Sequence, residues 1–114
     1  MLGLSANLNY YLFNGNVDLR KGIFRLCESI REEISLDPSD TSNVYMFMSR
    51  NRKVVKILHY ERGFYVLYEK RPVMGRFKKP VFDEVSKCYR IQWSDMAYLT
   101  ESIVVDKMYV SPKY

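Results

Sequence analysis

No apolar run in this 114-residue chain approaches the roughly 20 residues that cross a bilayer, so no membrane-spanning helix is expected. The first ten residues have neither a charged start nor a long apolar stretch, which argues against a secretory leader and for a cytoplasmic protein. Histidine occurs once, at His59, and cysteine twice, at Cys27 and Cys88, with no zinc-ligand spacing among them. The two thiols are expected to stay reduced and to act as small buried hydrophobes. No glycine-rich phosphate loop is present, and no repeat, low-complexity tract or linker divides the chain. The acids Asp18, Asp37, Asp40, Asp83, Glu84, Asp95 and Asp106 could supply a metal site for phosphoryl transfer, but such sites usually draw carboxylates from strand ends, and the acids of the central strands are Glu61 and Glu69, at turns. These absences leave no expected catalytic, cofactor or metal residue.

What is present is charge, unevenly placed. The net charge is +5, but residues 50–90 hold twelve Lys and Arg against four Asp and Glu, while the rest of the chain has six cations and nine acids. Like charges gathered in one segment repel each other unless they are solvated or met by a polyanion. A solvated face and a phosphate partner both account for such a run.

The apolar content, 47%, is enough for one domain with a modest core, and a single domain over 1–114 is expected. Residues 8–13 read as a short aromatic strand, closed by the turn signal Asn14-Gly15-Asn16. Asp18 is placed to cap a helix in which Leu19, Ile23, Leu26, Cys27, Ile30 and Ile34 recur at steps of three and four. That helix is expected to stop near Leu36, ahead of Asp37-Pro38. Residues 44–48 form an apolar run too short for a stable helix and read as a buried strand. Strands over 54–60 and 64–68, joined by the turn Glu61-Arg62-Gly63, complete a three-stranded meander. Residues 87–93 read as a further strand, and Ser94 as the cap of a short helix from Asp95 to about Glu101. Residues 103–110 are β-rich and read as an edge strand or a tail that docks on a partner. The fold class is α+β: one main amphipathic helix on a mostly antiparallel sheet, with a short C-terminal helix.

Three basic constellations stand out. In Asp18-Leu19-Arg20-Lys21-Gly22, a helix starting after Asp18 puts two cations at the positive end of the dipole, at about 0.3–1 kcal/mol each. Gly22 would add about 1 kcal/mol relative to alanine inside the helix. Local rules broken in succession are expected at functional positions, and an anion docked there would offset them. The alternative is that Arg20 and Lys21 bond acids elsewhere, for example Asp83 and Glu84. The loop Arg50-Asn51-Arg52-Lys53 suits contact with a nucleic-acid backbone, and a loop tip is also where charge is easily solvated. Lys70 and Arg71, with Arg76, Lys78 and Lys79, are interleaved with Pro72, Gly75 and Phe77. Phe77 either stacks on a base or plugs the core. Tyr45, Tyr60, Tyr65 and Tyr68 would make a stacking platform only if they shared an exposed face, and tyrosine is common in strands for packing alone.

In order and spacing these motifs resemble a known family. They are Asp18-Leu19-Arg20-Lys21-Gly22, Val44-Tyr45-Met46-Phe47 leading to Arg50-Asn51-Arg52, Lys56-Ile57-Leu58, Gly63-Phe64, Tyr68-Glu69-Lys70-Arg71 and Gly75-Arg76-Phe77 with Pro80. The family is that of the small accessory protein, often called TnpB, encoded by the second open reading frame of insertion-sequence-66 transposable elements. The family pattern usually has Trp where this chain has Lys79, and Gly near Ser102. The resemblance implies a part in transposition beside a larger transposase that carries the catalytic acids.

Residues and resemblance together give the expectation of a non-catalytic accessory protein of transposition that binds DNA through a basic face. Arg20 and Lys21 would hold one phosphate, and Arg50, Arg52, Lys53, Lys70, Arg71 and Arg76 would follow the backbone. Transposase is an expected partner and a membrane is not. The alternative is an interaction module that docks on the transposase or another accessory protein without touching DNA. A metal-dependent nuclease built from the scattered acids is the third reading.

Overall fold

The run at Asn43–Met48 is buried at every position, which a strand achieves only when both faces of its sheet are covered. The computed structural model describes residues 4–14, 18–82 and 86–105. Its elements in chain order are β1 (Asn9–Phe13), α1 (Ile23–Ile34), β2 (Asn43–Met48), β3 (Val55–Glu61), β4 (Phe64–Lys70), β5 (Arg76–Phe77), β6 (Cys88–Ile91), α2 (Trp93–Glu101) and β7 (Ile103–Val104). The main sheet has the order β4-β3-β2-β1-β6, and a second sheet pairs β5 with β7. The meander β2-β3-β4 is antiparallel, as expected. β1 lies parallel to β2, and such a pair needs a long crossover, which α1 supplies.

Period-two alternation sorts the core onto two faces. Tyr10, Leu12, Val44, Met46, Val55 and Ile57 meet Met96, Leu99 and Phe77 on one side. Phe13, Tyr45, Phe47 and Leu58 meet Leu26, Cys27 and Ile30 of α1 on the other. Phe77 is 1% exposed, so it plugs the core rather than presenting a ring. Tyr45 is fully buried and Tyr60, Tyr65 and Tyr68 half-buried, so the four tyrosines form no exposed platform. His59 is a packed strand residue whose Nε2 lies 3.1 Å from the Thr41 carbonyl. Burial pushes both thiols up, Cys88 to about 11.

Several boundaries differ from the sequence-based expectation. The first helix starts at Ile23, with Gly22 rather than Asp18 as its N-cap, and ends at Ile34 with Ser35 left-handed at φ 54°. At the N-cap, glycine costs only a few tenths of a kcal/mol relative to Ser or Asp. The second helix starts at Trp93, not after Ser94, because Gln92 and Asp95 form a reciprocal capping box. β7 does not extend the edge of the main sheet. It pairs with β5, Phe77 opposite Ile103 and Arg76 opposite Val104. Residues 106–110 of the 103–110 segment and the Asn14-Gly15-Asn16 turn, apart from Asn14, lie outside the described residues.

Two turns place a glycine at positive φ. Arg62 and Gly63, at 50° and 88°, make the two-residue link that matches strand twist between β3 and β4. Gly75, at 76°, brings its backbone against β7, where an added Cβ would sit 2.4 Å from the Val104 carbonyl oxygen. Gly75→Ala is therefore expected to destabilise the fold by about 1–3 kcal/mol, from both the left-handed backbone and the clash. A lowered thermal midpoint checks this, and an unchanged midpoint would refute it.

Candidate nucleic-acid interface

Strand direction decides which loops meet. β1 and β2 run parallel and end together, Phe13 beside Cys88 and Met48 beside Val55, while Val55 faces Lys70. The link 49–54, the start of the chain after β4, and residues 18–22 ahead of α1 therefore share one end of the sheet. Three of the sequence-predicted basic constellations come together there.

The 49–54 link is held rigidly. The Ser49 hydroxyl accepts from the N–H groups of Lys53 and Val54 at 3.1 and 3.0 Å and donates to Asn51 Oδ1 at 2.8 Å. Ser49 and Val54 also pair through their backbones at 2.9 Å. Arg52 takes a left-handed φ of 60°. Its carbonyl accepts from the Phe77 N–H at 2.7 Å, and its guanidinium donates to the Phe77 carbonyl at 3.2 Å. Arg52 is thereby the link between the loop and β5, while Arg50, Asn51 and Lys53 are exposed.

Asp18 does not cap α1. Its carboxylate accepts from the Arg20 N–H at 2.9 Å and from the Arg20 guanidinium at 3.1 and 3.0 Å, and its carbonyl accepts from the Lys21 N–H at 3.0 Å. This is an Asx-type turn that precedes the helix. The Arg20 guanidinium and N–H beside it hold the Asp18 carboxyl down at about 2. The clamp is therefore complete at neutral pH and is lost only as pH falls through about 2. Arg20 and Lys21 consequently stand before the helix, not in its first turn, and the acid that meets Arg20 lies within its own motif. Asp83 and Glu84 lie outside the described residues. Lys21 reaches Ser29 Oγ at 3.4 Å.

Lys56 is a cation set in the apolar run of β3. It is 8% exposed, and its ammonium donates to the carbonyls of Leu19 and Lys21 while lying 3.7 Å from Glu69, its cross-strand partner. The one signal available was a lysine in an apolar strand. Lys70 and Arg71 part company beyond β4. The Lys70 ammonium donates to the Thr100 carbonyl at 2.9 Å near the end of α2, where a cation suits the helix dipole, and Arg71 pairs with Glu69 at 2.8 Å. Lys78 likewise turns to Tyr98, at 2.9 Å from its hydroxyl.

Two clefts flank the rigid loop and share Ser49 and Arg50 as a common wall. One, of about 460 Å³, is lined by Asp18, Arg20, Arg50 and Arg71. The other, of about 410 Å³, is lined by Arg50, Arg52, Arg76 and Lys79. A larger cleft of about 690 Å³ lies between β6 and α2, and among the described residues Arg90 is the one cation in its lining, beside the acid Asp95. Among the described residues, no three His, Cys, Asp or Glu gather as metal ligands, and no helix is long and apolar enough to cross a membrane.

The sheet and its cation-lined end define an α+β domain built around a basic loop cluster. By comparison of sequences, the chain belongs to the family described as IS66 Orf2 like protein, an accessory family of transposition, which it matches over residues 8–109. It is also similar to the "Uncharacterized protein y4hO" of Sinorhizobium fredii, with 29% identity over 80 residues, covering 70% of this chain and 69% of that protein. No solved structure matches the chain.

Replacing Lys56 by methionine would leave the Leu19 and Lys21 carbonyls without their donor. Lys56→Met is expected to cost about 1–3 kcal/mol and to speed amide exchange in 19–23 before the rest of the sheet opens. Unchanged exchange in that segment would sink the assigned role.

Proposed function

We propose that this protein is a non-catalytic accessory factor of transposition that binds DNA through the basic end of its sheet. The observation that carries the reading is the convergence of cations distant in sequence, Arg20, Arg50, Arg71, Arg76 and Lys79, on two adjoining clefts. Among the described residues, Asp18 is the one acid lining those clefts, and it is paired with Arg20. An array of this kind is relieved by a polyanion, and membership of a transposition family makes DNA the relevant one. Arg20, Lys21, Arg50, Lys53, Arg71 and Arg76 are the proposed phosphate contacts. Arg52 and Lys70 contribute by holding the loop and the β4 end in place.

DNA carrying the ends of the element is expected to bind at micromolar protein or tighter at low salt, and more weakly as salt rises. Each of Arg50→Ala and Arg76→Ala should lower the slope of log affinity against log salt by about 1. Absence of binding at low salt would reject the proposal.

A second reading is favoured by the apolar surface around the small sheet. Val73, Met74, Val104 and Val105 are all exposed, the first pair leading into Gly75 and the second lying across from it. Such a surface suits docking on the transposase. Co-purification of the two proteins after nuclease digestion is the expected outcome on this reading. Loss of the association on digestion would instead assign it to shared DNA.

A further inference from the structure

We infer that double-stranded DNA, rather than a single strand, is the form this end of the sheet takes. The 49–54 loop would enter a groove, and each flanking cleft would receive the phosphates of one strand. The inference rests on the DNA-binding function proposed above and adds the strand form and the manner of docking.

Three observations carry it. First, the cations are divided by the loop. Arg20 and Arg71 lie on one side, Arg76 and Lys79 on the other, and Arg50 lines both clefts. A single phosphate chain following one cleft would not reach the cations of the other. Two rows of phosphate with a groove between them, as in a duplex, engage both sides at once. Second, the loop is fixed before any partner arrives. The Ser49 hydroxyl holds its base, and Arg52 is tied to Phe77 by hydrogen bonds at both backbone and side chain. A preset protrusion suits a regular groove, because little ordering cost remains to be met on binding. Third, among the described residues the clefts lack what single-strand binders use. Such proteins stack bases on exposed aromatic faces. Here the aromatic rings lining the clefts are Phe13, 2% exposed, and the half-buried Phe82. The strongly exposed rings Phe24 and Phe64 line neither cleft.

The test is fluorescence anisotropy with one labelled duplex and each of its separated strands, using the full chain at two salt concentrations. The duplex is expected to bind about tenfold tighter than either strand, and its salt slope to be the steeper. The paired variants Arg20→Ala/Arg71→Ala and Arg76→Ala/Lys79→Ala should each lower the duplex slope by about 2. Equal or tighter binding of a single strand would overturn the inference and leave the DNA-binding function standing. No binding of any form would overturn that function itself. A slope lowered by only one of the paired variants would overturn docking across both clefts. The comparison of duplex with single strand uses the unaltered protein, so it decides the strand form whatever the variants do to folding.

Discussion

Lys56 is the residue on which the geometry of the basic end depends. A lysine buried in a sheet is costly unless its ammonium is fully engaged. Here it is engaged by the carbonyls of Leu19 and Lys21 and by Glu69. In a helix those two carbonyls would accept from N–H groups four residues on. Given to Lys56 instead, they keep residues 19–21 out of α1, and the helix starts at Ile23. The chain before α1 is thereby fastened to β3, and Arg20 is carried to the cleft beside the 49–54 loop.

A second consequence comes from strand direction. The β1-α1-β2 crossover makes the only parallel pair in the main sheet among the described residues, and both strands of that pair finish at the same end. Reversal through β3 and β4 then returns the chain to that end at Lys70, so the cations following β4 join those following β2. The resulting repulsion is moderated by Asp18 on Arg20 and by Glu69 between Lys56 and Arg71. Both acids are exposed to solvent to nearly half, so their screening is shared with water.

The elements of the meander were legible because their patterns have few alternatives. A five-residue apolar run at 44–48 cannot hold a helix by itself, and Arg62-Gly63 between alternating runs specifies a two-residue hairpin. The α1 stripe was legible for the same reason over 23–34, and the packing of Leu26, Cys27 and Ile30 follows it. The caps were not. Aspartate accepts N–H groups as readily in an Asx turn as at a helix N-cap, and Asp18 takes the N–H of Arg20, two residues on. Gln92 displaced Ser94 as cap because Asp95 reaches back to the Gln92 N–H at 3.0 Å. The basic residues were legible as a list, but not as a division of labour. Arg52 and Lys70 look like their neighbours in sequence, yet in the fold one anchors the loop and the other ties β4 to α2.

The sequence by itself determined the class of fold, the family and the excess of positive charge in 50–90, because periodicity, motif order and ionisation are properties of the chain read along its length. The tertiary structure alone decided where that charge points. Strand polarity, the pairing of β5 with β7 and the reach of Lys56 across the sheet are contacts between distant residues. No local preference encodes them, so two clefts on either side of one rigid loop exist only after the chain has closed on itself.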